Sequence, residues 1–208
     1  MNKTTEKDII IAAKTLSVIF NPFYLPLLGM VILFLFSYLN MLPWAYKLIV
    51  LVLVACFTIL LPTVLINFYR KYNGWTLFQL GAKERRVVPY IISSLCYLGC
   101  IYIMHSIHIP HFMGNILLTA LFIQLICAAI NLWWKISTHS AAIGGVIGAL
   151  MAFAIIFDFN PMWWLCLLIL LSGAVGSSRI ILRQHTVAQV FAGSIVGGVC
   201  AFIIILFL

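Results

Sequence analysis

Long apolar runs, separated by short polar or Pro- and Gly-containing segments, cover most of the chain. A run of about 20 apolar residues is long enough to cross the hydrocarbon layer of a bilayer as a helix. Because backbone groups in lipid must be satisfied within their own segment, the runs predict an all-α, polytopic transmembrane helix bundle of about six or seven spans. The predicted spans are about 16–39, 44–68, 88–106, 113–134, 140–157, 161–177 and 186–207, and Asn21-Pro22 and Pro26 are expected to kink the first.

The composition excludes water-soluble functions. Of the 208 residues, 65% are hydrophobic and only 8% are charged, whereas a soluble domain carries about a quarter charged residues. A soluble enzyme, a disordered tail and a nucleic-acid binder are therefore excluded, although the net charge is +8. We predict a single integral membrane domain over 1–208, with N-terminal spans at about 16–68 and a helical core at about 83–208.

The positive charges are distributed unequally between the two predicted faces. Alternating spans place the N-terminus, 69–87, 135–139 and 177–185 on one face, which we call the motif face. Of the twelve Lys and Arg residues, only Lys47 lies on the other face. Five of the remaining eleven are candidate phosphate ligands: Lys83, Arg85, Arg86, Lys135 and Arg179. Without these five, six basic residues on the motif face still oppose Lys47. The positive-inside rule then predicts that the motif face is cytoplasmic, and we expect an integral protein of a bacterial inner membrane.

Three polar groups on the motif face are candidate functional sites, because ionisable residues at span ends are costly in a membrane. They are 83–86, 135–140 and 177–189. Non-catalytic interpretations exist for each: a basic anchor for anionic lipid headgroups, a helix cap with an interfacial histidine, and a solvated basic link. However, a helix that starts at the second group would also expose N–H groups that attract anions.

The second and third groups resemble motifs of the type 2 phosphatidic acid phosphatase superfamily. Ser178-Arg179, five residues and then His185 match the spacing of that family's Ser-Arg-x5-His-x3-Asp motif. Ser137-Thr138-His139 is similar to its Pro-Ser-Gly-His motif, with Ile136 and Thr138 in place of Pro and Gly. The resemblance covers about 83–189, and the third motif is its specific part.

The family's first motif, built on Lys, Arg and Pro, is matched only loosely by Lys83, Arg85 or Arg86 with Pro89. The resemblance implies a metal-independent phosphatase of a lipid phosphate: phosphatidate, phosphatidylglycerol phosphate or an isoprenoid (pyro)phosphate. It implies that His185 attacks phosphorus to form a phosphohistidine and that His139 protonates the leaving alcohol and then activates water. The residues expected to hold the phosphate are Lys83, Arg86, Lys135, Ser137, Thr138 and Arg179.

Gln189 departs from the family, whose third motif ends in Asp. An amide can orient His185 but cannot stabilise an imidazolium by charge, and the analogous change in a serine protease triad costs about four orders of magnitude in rate. This leaves open a catalytically weak or inactive member that binds or transports a lipid phosphate. A transporter with basic gates is a third possibility, although no internal repeat supports it. A second departure is the predicted location of the site. Familiar lipid phosphatases often have this site on the outer face of the membrane, whereas the predicted topology puts it on the cytoplasmic face.

No cofactor or metal is expected, because the four acidic residues, Glu6, Asp8, Glu84 and Asp158, are too scattered for a two-metal site. The histidines His105, His108 and His111 are interpreted as interfacial. Expected partners are a lipid phosphate substrate and membrane lipids, without nucleic acid, and the oligomeric state is left open. Small residues at helical spacing predict close packing of the fifth and seventh spans: Ala141, Gly145, Gly148 and Ala152 on one, and Gly193 and Gly197 on the other.

Overall fold

The computed structural model describes residues 3–36, 38–74 and 87–207, and within these ranges it is helical without strands. Seven of the described segments are long and apolar enough to cross a membrane, which confirms the predicted all-α, multi-span fold. The helices are α1 Lys3–Ile19, α2 Leu25–Phe36, α3 Trp44–Ala55, α4 Leu61–Tyr72, α5 Val87–Ser106, α6 His111–Trp133, α7 Thr138–Ile156, α8 Met162–Ile181 and α9 Val187–Phe207.

The first apolar segment begins earlier than predicted, at Lys7 instead of about 16. Five apolar residues at 9–13 extend the helical pattern towards the N-terminus in spite of their charged neighbours. The expected kink at Asn21-Pro22 is confirmed, because a 3-10 turn at Pro22–Tyr24 separates α1 from α2. Asn21 caps this turn by accepting a hydrogen bond from the backbone N–H of Phe23 at 3.3 Å. Pro26 lies in the first turn of α2, where its missing N–H costs no helical hydrogen bond.

The second span is divided. A wider π turn at Cys56–Leu60 joins α3 to α4, and Pro62 is the second residue of α4. Because proline has no backbone N–H, one hydrogen bond of the regular α-helix is lost at this position, and the π turn accommodates that loss. The helix then continues to Tyr72, with two basic residues in its last turn.

Lys47, the cation predicted on the face opposite the motifs, has local partners. Its ammonium donates to the backbone carbonyl of Asn40 at 2.6 Å and to the Asn40 side-chain oxygen at 3.1 Å. It also lies 5.9 Å from the ring centre of Trp44. The side chain is only 6% exposed. Lys47 therefore ties the link between α2 and α3 to the start of α3.

The closest helix pair is α7 and α9. A Cβ atom on Gly197 would lie 1.8 Å from the carbonyl oxygen of Ala141, and one on Gly148 would lie 2.1 Å from the carbonyl oxygen of Gly198. Only hydrogen fits at these positions, as in other close helix contacts in membranes. The predicted close packing is confirmed, with one change. Gly144 meets the backbone of Ser194, whereas Gly145 faces the side chain of Ile123 on α6.

Helix α2, with 12 residues, packs along one half of the bundle. Near its start, Leu25 packs with Val146 and Leu150 of α7. Towards its end, Met30 and Phe34 belong to a buried apolar cluster that includes Met104 at the end of α5 and Met113 at the start of α6. Helix α2 therefore extends from the middle of α7 to the end of the bundle where α6 begins.

Candidate active site

The start of α7 is fixed by a buried serine cap. Ser137 is the N-cap, and its hydroxyl oxygen accepts from the backbone N–H of Ser140 at 3.3 Å and lies 2.8 Å from the Ser140 hydroxyl. The expectation that this segment caps the helix is confirmed. Ser137 is fully buried, and its hydroxyl takes part in this cap. Thr138 is half-buried and lines a cavity described below.

His139 lies in the first turn of α7 and points its ring towards α1. Its Nε2–H donates to the backbone carbonyl of Ser17 at 3.2 Å. Because a carbonyl oxygen only accepts, Nε2 carries the proton in this arrangement. The other ring nitrogen, Nδ1, is buried and has no hydrogen-bond partner among the residues that the structure describes. The proton of His139 is therefore aimed at an oxygen atom.

Arg179, in the last turn of α8, reaches the same serine. One terminal guanidinium nitrogen donates to the hydroxyl oxygen of Ser17. The two oxygens of Ser17 thus lie against His139 and Arg179, to which the family resemblance assigns acid catalysis and phosphate binding. Sequence reasoning missed Ser17, because a single serine in an apolar helix carries no distinguishing signal.

The turn after α8 explains the spacing of the third motif. Arg183 adopts a left-handed conformation with φ 52°, which ends the helix and reverses the chain. The backbone N–H groups of Gln184 and His185 then both donate to the carbonyl of Arg179, at 3.0 and 3.4 Å. A helix end followed by this compact turn places five residues between Arg179 and His185, and it brings the backbone of His185 back to Arg179.

Gln189 orients His185 and also caps α9. The Nδ1–H of His185 donates to the side-chain oxygen of Gln189 at 3.2 Å, which leaves the lone pair on Nε2. The same oxygen accepts from the backbone N–H of Thr186 at 3.2 Å, and the Thr186 hydroxyl accepts from the N–H of Gln189 at 3.4 Å. This reciprocal pair is a capping box. The Thr-x-x-Gln spacing was a readable signal for it, but the sequence analysis missed this second role.

The remaining predicted ligands divide into two groups. Lys135 is exposed and donates from its ammonium to the carbonyl of Gln184, so it connects the segment before α7 to the turn after α8. Lys83 and Arg86 lie outside the described residues.

The two motif-bearing helix ends are close together. The backbone N–H of Ser137 donates to the carbonyl of Gln189 at 3.3 Å, and both Arg179 and His185 interact electrostatically with His139. The structure therefore brings His139, Arg179 and His185 to one end of the bundle. At the other end, the rings of His105 and His111 lie 5.3 Å apart. Within the described residues, no three His, Cys, Asp or Glu side chains are grouped as metal ligands.

Residues 110–208, from the start of α6 onwards, match the family model of the PAP2 superfamily. This part of the chain belongs to the PAP2 superfamily. The PAP2 match contains the second and third motifs, and it begins after the basic group at 83–86. The PAP2 superfamily generally hydrolyses phosphate esters. No curated protein and no solved structure matches the chain.

Proposed function

We propose that the protein is a membrane lipid phosphatase that hydrolyses a phosphomonoester or pyrophosphate of a lipid through a phosphohistidine. The observation that carries this proposal is the convergence of His139, Arg179 and His185 with complementary proton positions. One imidazole holds a proton directed at an oxygen, the other keeps the lone pair of Nε2 for attack, and a guanidinium lies beside them.

In the substrate complex, Arg179 holds phosphoryl oxygens through charge-assisted hydrogen bonds. Lys135, Thr138 and the basic residues Lys83 and Arg86 assist it. The backbone N–H groups at the start of α7 add dipolar stabilisation of the charge that develops on phosphorus. The hydroxyl and carbonyl oxygens of Ser17 accept hydrogen bonds from Arg179 and His139, and phosphoryl and leaving-group oxygens are acceptors of the same kind. Substrate binding therefore exchanges the oxygens of Ser17 for those of the lipid phosphate.

The chemistry proceeds in two steps. Nε2 of His185 attacks phosphorus while the bond from phosphorus to the lipid oxygen breaks. His139, protonated on both ring nitrogens when the anionic phosphate is bound beside it, gives its Nε2 proton to that oxygen and becomes neutral. His139 then takes a proton from water, which attacks the phosphohistidine and breaks the phosphorus–nitrogen bond. Inorganic phosphate leaves and both imidazoles return to their starting states. Gln189 holds His185 Nδ1–H throughout, so that the same nitrogen is always presented to phosphorus.

The charge distribution supports a cytoplasmic site in a bacterial inner membrane. The last turn of α4 carries Arg70 and Lys71, and the predicted topology puts them on the same face as His139 and His185. Labelling of an Asn73→Cys variant, in a background without the native cysteines, should fail from outside intact cells. Efficient labelling would place the motif face outside.

A second candidate function is a catalytically weak or inactive protein that binds or transports a lipid phosphate. Gln189 favours it, because the amide is neutral and its position in the capping box gives it a structural role without catalysis. The phosphoenzyme distinguishes the two candidates, since binding alone forms no covalent bond to phosphorus.

The test is phosphate release by the purified protein from a panel of lipid phosphates, with and without vanadate. We expect turnover that vanadate inhibits, an acid-labile phosphoenzyme, and loss of both in His185→Ala. His139→Ala should lower the rate by roughly 10²–10⁴-fold. The matched control is His105→Ala at the opposite end of the bundle, which should behave as wild type. Absence of phosphate release from every lipid, with no difference between wild type and His185→Ala, would contradict the proposal.

A further inference from the structure

A cavity of about 270 Å³ lies inside the bundle, between α2, α5, α6 and α7. It starts at Thr138 and His139 and follows one face of α7 at every turn. It ends beside Phe157, directly after that helix. The residues of α7 along it are Ala142, Gly145, Val146, Ala149, Leu150 and Phe153. The cavity is therefore continuous with the candidate active site.

The length and volume of the cavity fit one hydrocarbon chain. From His139 to Phe157 the helix rises about 27 Å, close to the roughly 30 Å of a bilayer's hydrocarbon layer. A volume of 270 Å³ over that length makes the cavity narrow. Two acyl chains side by side would need a wider space, which the close packing of α7 on α9 denies on that side.

The walls of the cavity are suited to hydrocarbon. Two of its polar wall residues, Gln124 and Ser93, bond to each other and to nearby backbone: the amide nitrogen of Gln124 donates to the carbonyl of Tyr90 at 2.8 Å and to the hydroxyl of Ser93. Ser93 in turn donates to the carbonyl of Pro89 at 2.8 Å. Groups satisfied in this way do not require water, and an apolar space that lacks polar partners stays dry or takes an apolar ligand.

We infer that this cavity holds the chain of a single-chain lipid phosphate, such as an isoprenoid or a single-tailed alkyl or acyl phosphate, whose phosphate lies at His139 and Arg179. This inference rests on the proposed function and names the substrate class of the same site. Binding the chain within the bundle places the phosphate at a fixed depth. Chain binding thereby contributes to the orientation of phosphorus towards His185.

The test fills the cavity with a larger side chain at a position distant from His139 and the bound phosphate. Ala149 lines the cavity about 15 Å along α7 from His139. In Ala149→Phe we expect kcat/KM for farnesyl and hexadecyl phosphates to fall at least about tenfold, while butyl phosphate, too short to reach residue 149, is unaffected. The control is Met151→Phe, at a position 43% exposed on the outside of the same helix, which should change neither. Ala149→Leu should give a smaller loss and serves if the phenylalanine variant does not fold.

The outcomes separate the inference from the proposed function. The cavity assignment would be overturned if Ala149→Phe lowered kcat/KM equally for long and short substrates, or lowered it for neither. It would also be overturned if the wild-type protein hydrolysed a diacyl phosphatidate as efficiently as the single-chain phosphates. A loss for only farnesyl or only hexadecyl phosphate would identify the source of the chain. Photolabelling with a diazirine-bearing hexadecyl phosphate gives a readout without turnover. If no substrate is hydrolysed but wild type is labelled within α2 or α7 and Ala149→Phe is not, the cavity assignment stands and the phosphatase proposal fails.

Discussion

Helix α7 has two faces built from small residues, and the structure uses them in opposite ways. Ala141, Gly144 and Gly148 meet the backbone of α9 so closely that a Cβ atom on either glycine would overlap it. Ala142 and Ala149, one residue further along the helix, line the cavity. The closed face fixes the relative positions of the two motif-bearing helix ends, and the open face leaves room for a chain. A small residue in a membrane helix therefore indicates close packing or open space, and only the neighbouring helix decides which.

Breaking the closed face should have the largest effect. In Gly197→Ala the new methyl would lie 1.8 Å from the carbonyl oxygen of Ala141, so α7 and α9 must separate. A displacement of about 1 Å between catalytic groups can cost about 10²-fold in rate, and we expect at least that loss, with a lower thermal midpoint. The control is Gly173→Ala, where nothing lies within 4 Å of the added methyl. If Gly197→Ala kept wild-type activity, the helix contact would not set the geometry of the site.

Gln189 lies in the first turn of α9, the helix that packs on the closed face of α7. Changing it tests the contact that holds His185 in position. Gln189→Ala removes the oxygen that accepts from both His185 and Thr186, so we expect a loss of about 0.5–2 kcal/mol in the free energy of unfolding. Phosphate release should fall further than that stability change explains. Gln189→Glu keeps the reach of the side chain and adds a charge beside the imidazole.

The direction of the Gln189→Glu effect distinguishes the two candidate functions. A wild-type enzyme adapted to the amide should lose activity, whereas a binding protein with a preserved site should gain phosphate release from near zero. An unchanged phosphate release in both Gln189→Ala and Gln189→Glu would contradict the positioning role of residue 189.

The smallest effect is expected at the entrance shared by the site and the cavity. Ser17→Ala removes the hydroxyl that accepts from Arg179 but leaves the backbone carbonyl beside His139. If the lipid phosphate replaces Ser17, the variant should bind substrate more tightly, with KM lowered about two- to fivefold and kcat nearly unchanged. The loss in the free energy of unfolding should be about 0.5–1.5 kcal/mol, as for a single hydrogen bond. A fall in kcat at constant KM would instead make Ser17 part of the catalytic arrangement.

The sequence predicts best what depends on local patterns. Hydropathy and turn residues locate the spans, and the five-residue interval between Arg179 and His185 follows from one helix end and one turn. Contacts between distant segments were not predictable. No local pattern marks Ser17 as a partner of residues 139 and 179, and a one-residue rotation decides whether Gly144 or Gly145 meets α9. The cavity is likewise invisible in the sequence, because alanine and glycine occur on both faces of α7.

The contact between Ser17 and Arg179 joins residues separated by 162 positions, and this has a consequence for biosynthesis. At roughly 5–20 residues per second, a ribosome needs about 8–30 seconds to make the chain between them. Throughout that interval the N-terminal helix is already synthesised, while Arg179 does not yet exist. The candidate site is therefore completed only when the start of α9, with His185 before it and Gln189 in its first turn, has also been made, and a chain released before that point carries no assembled site into the membrane.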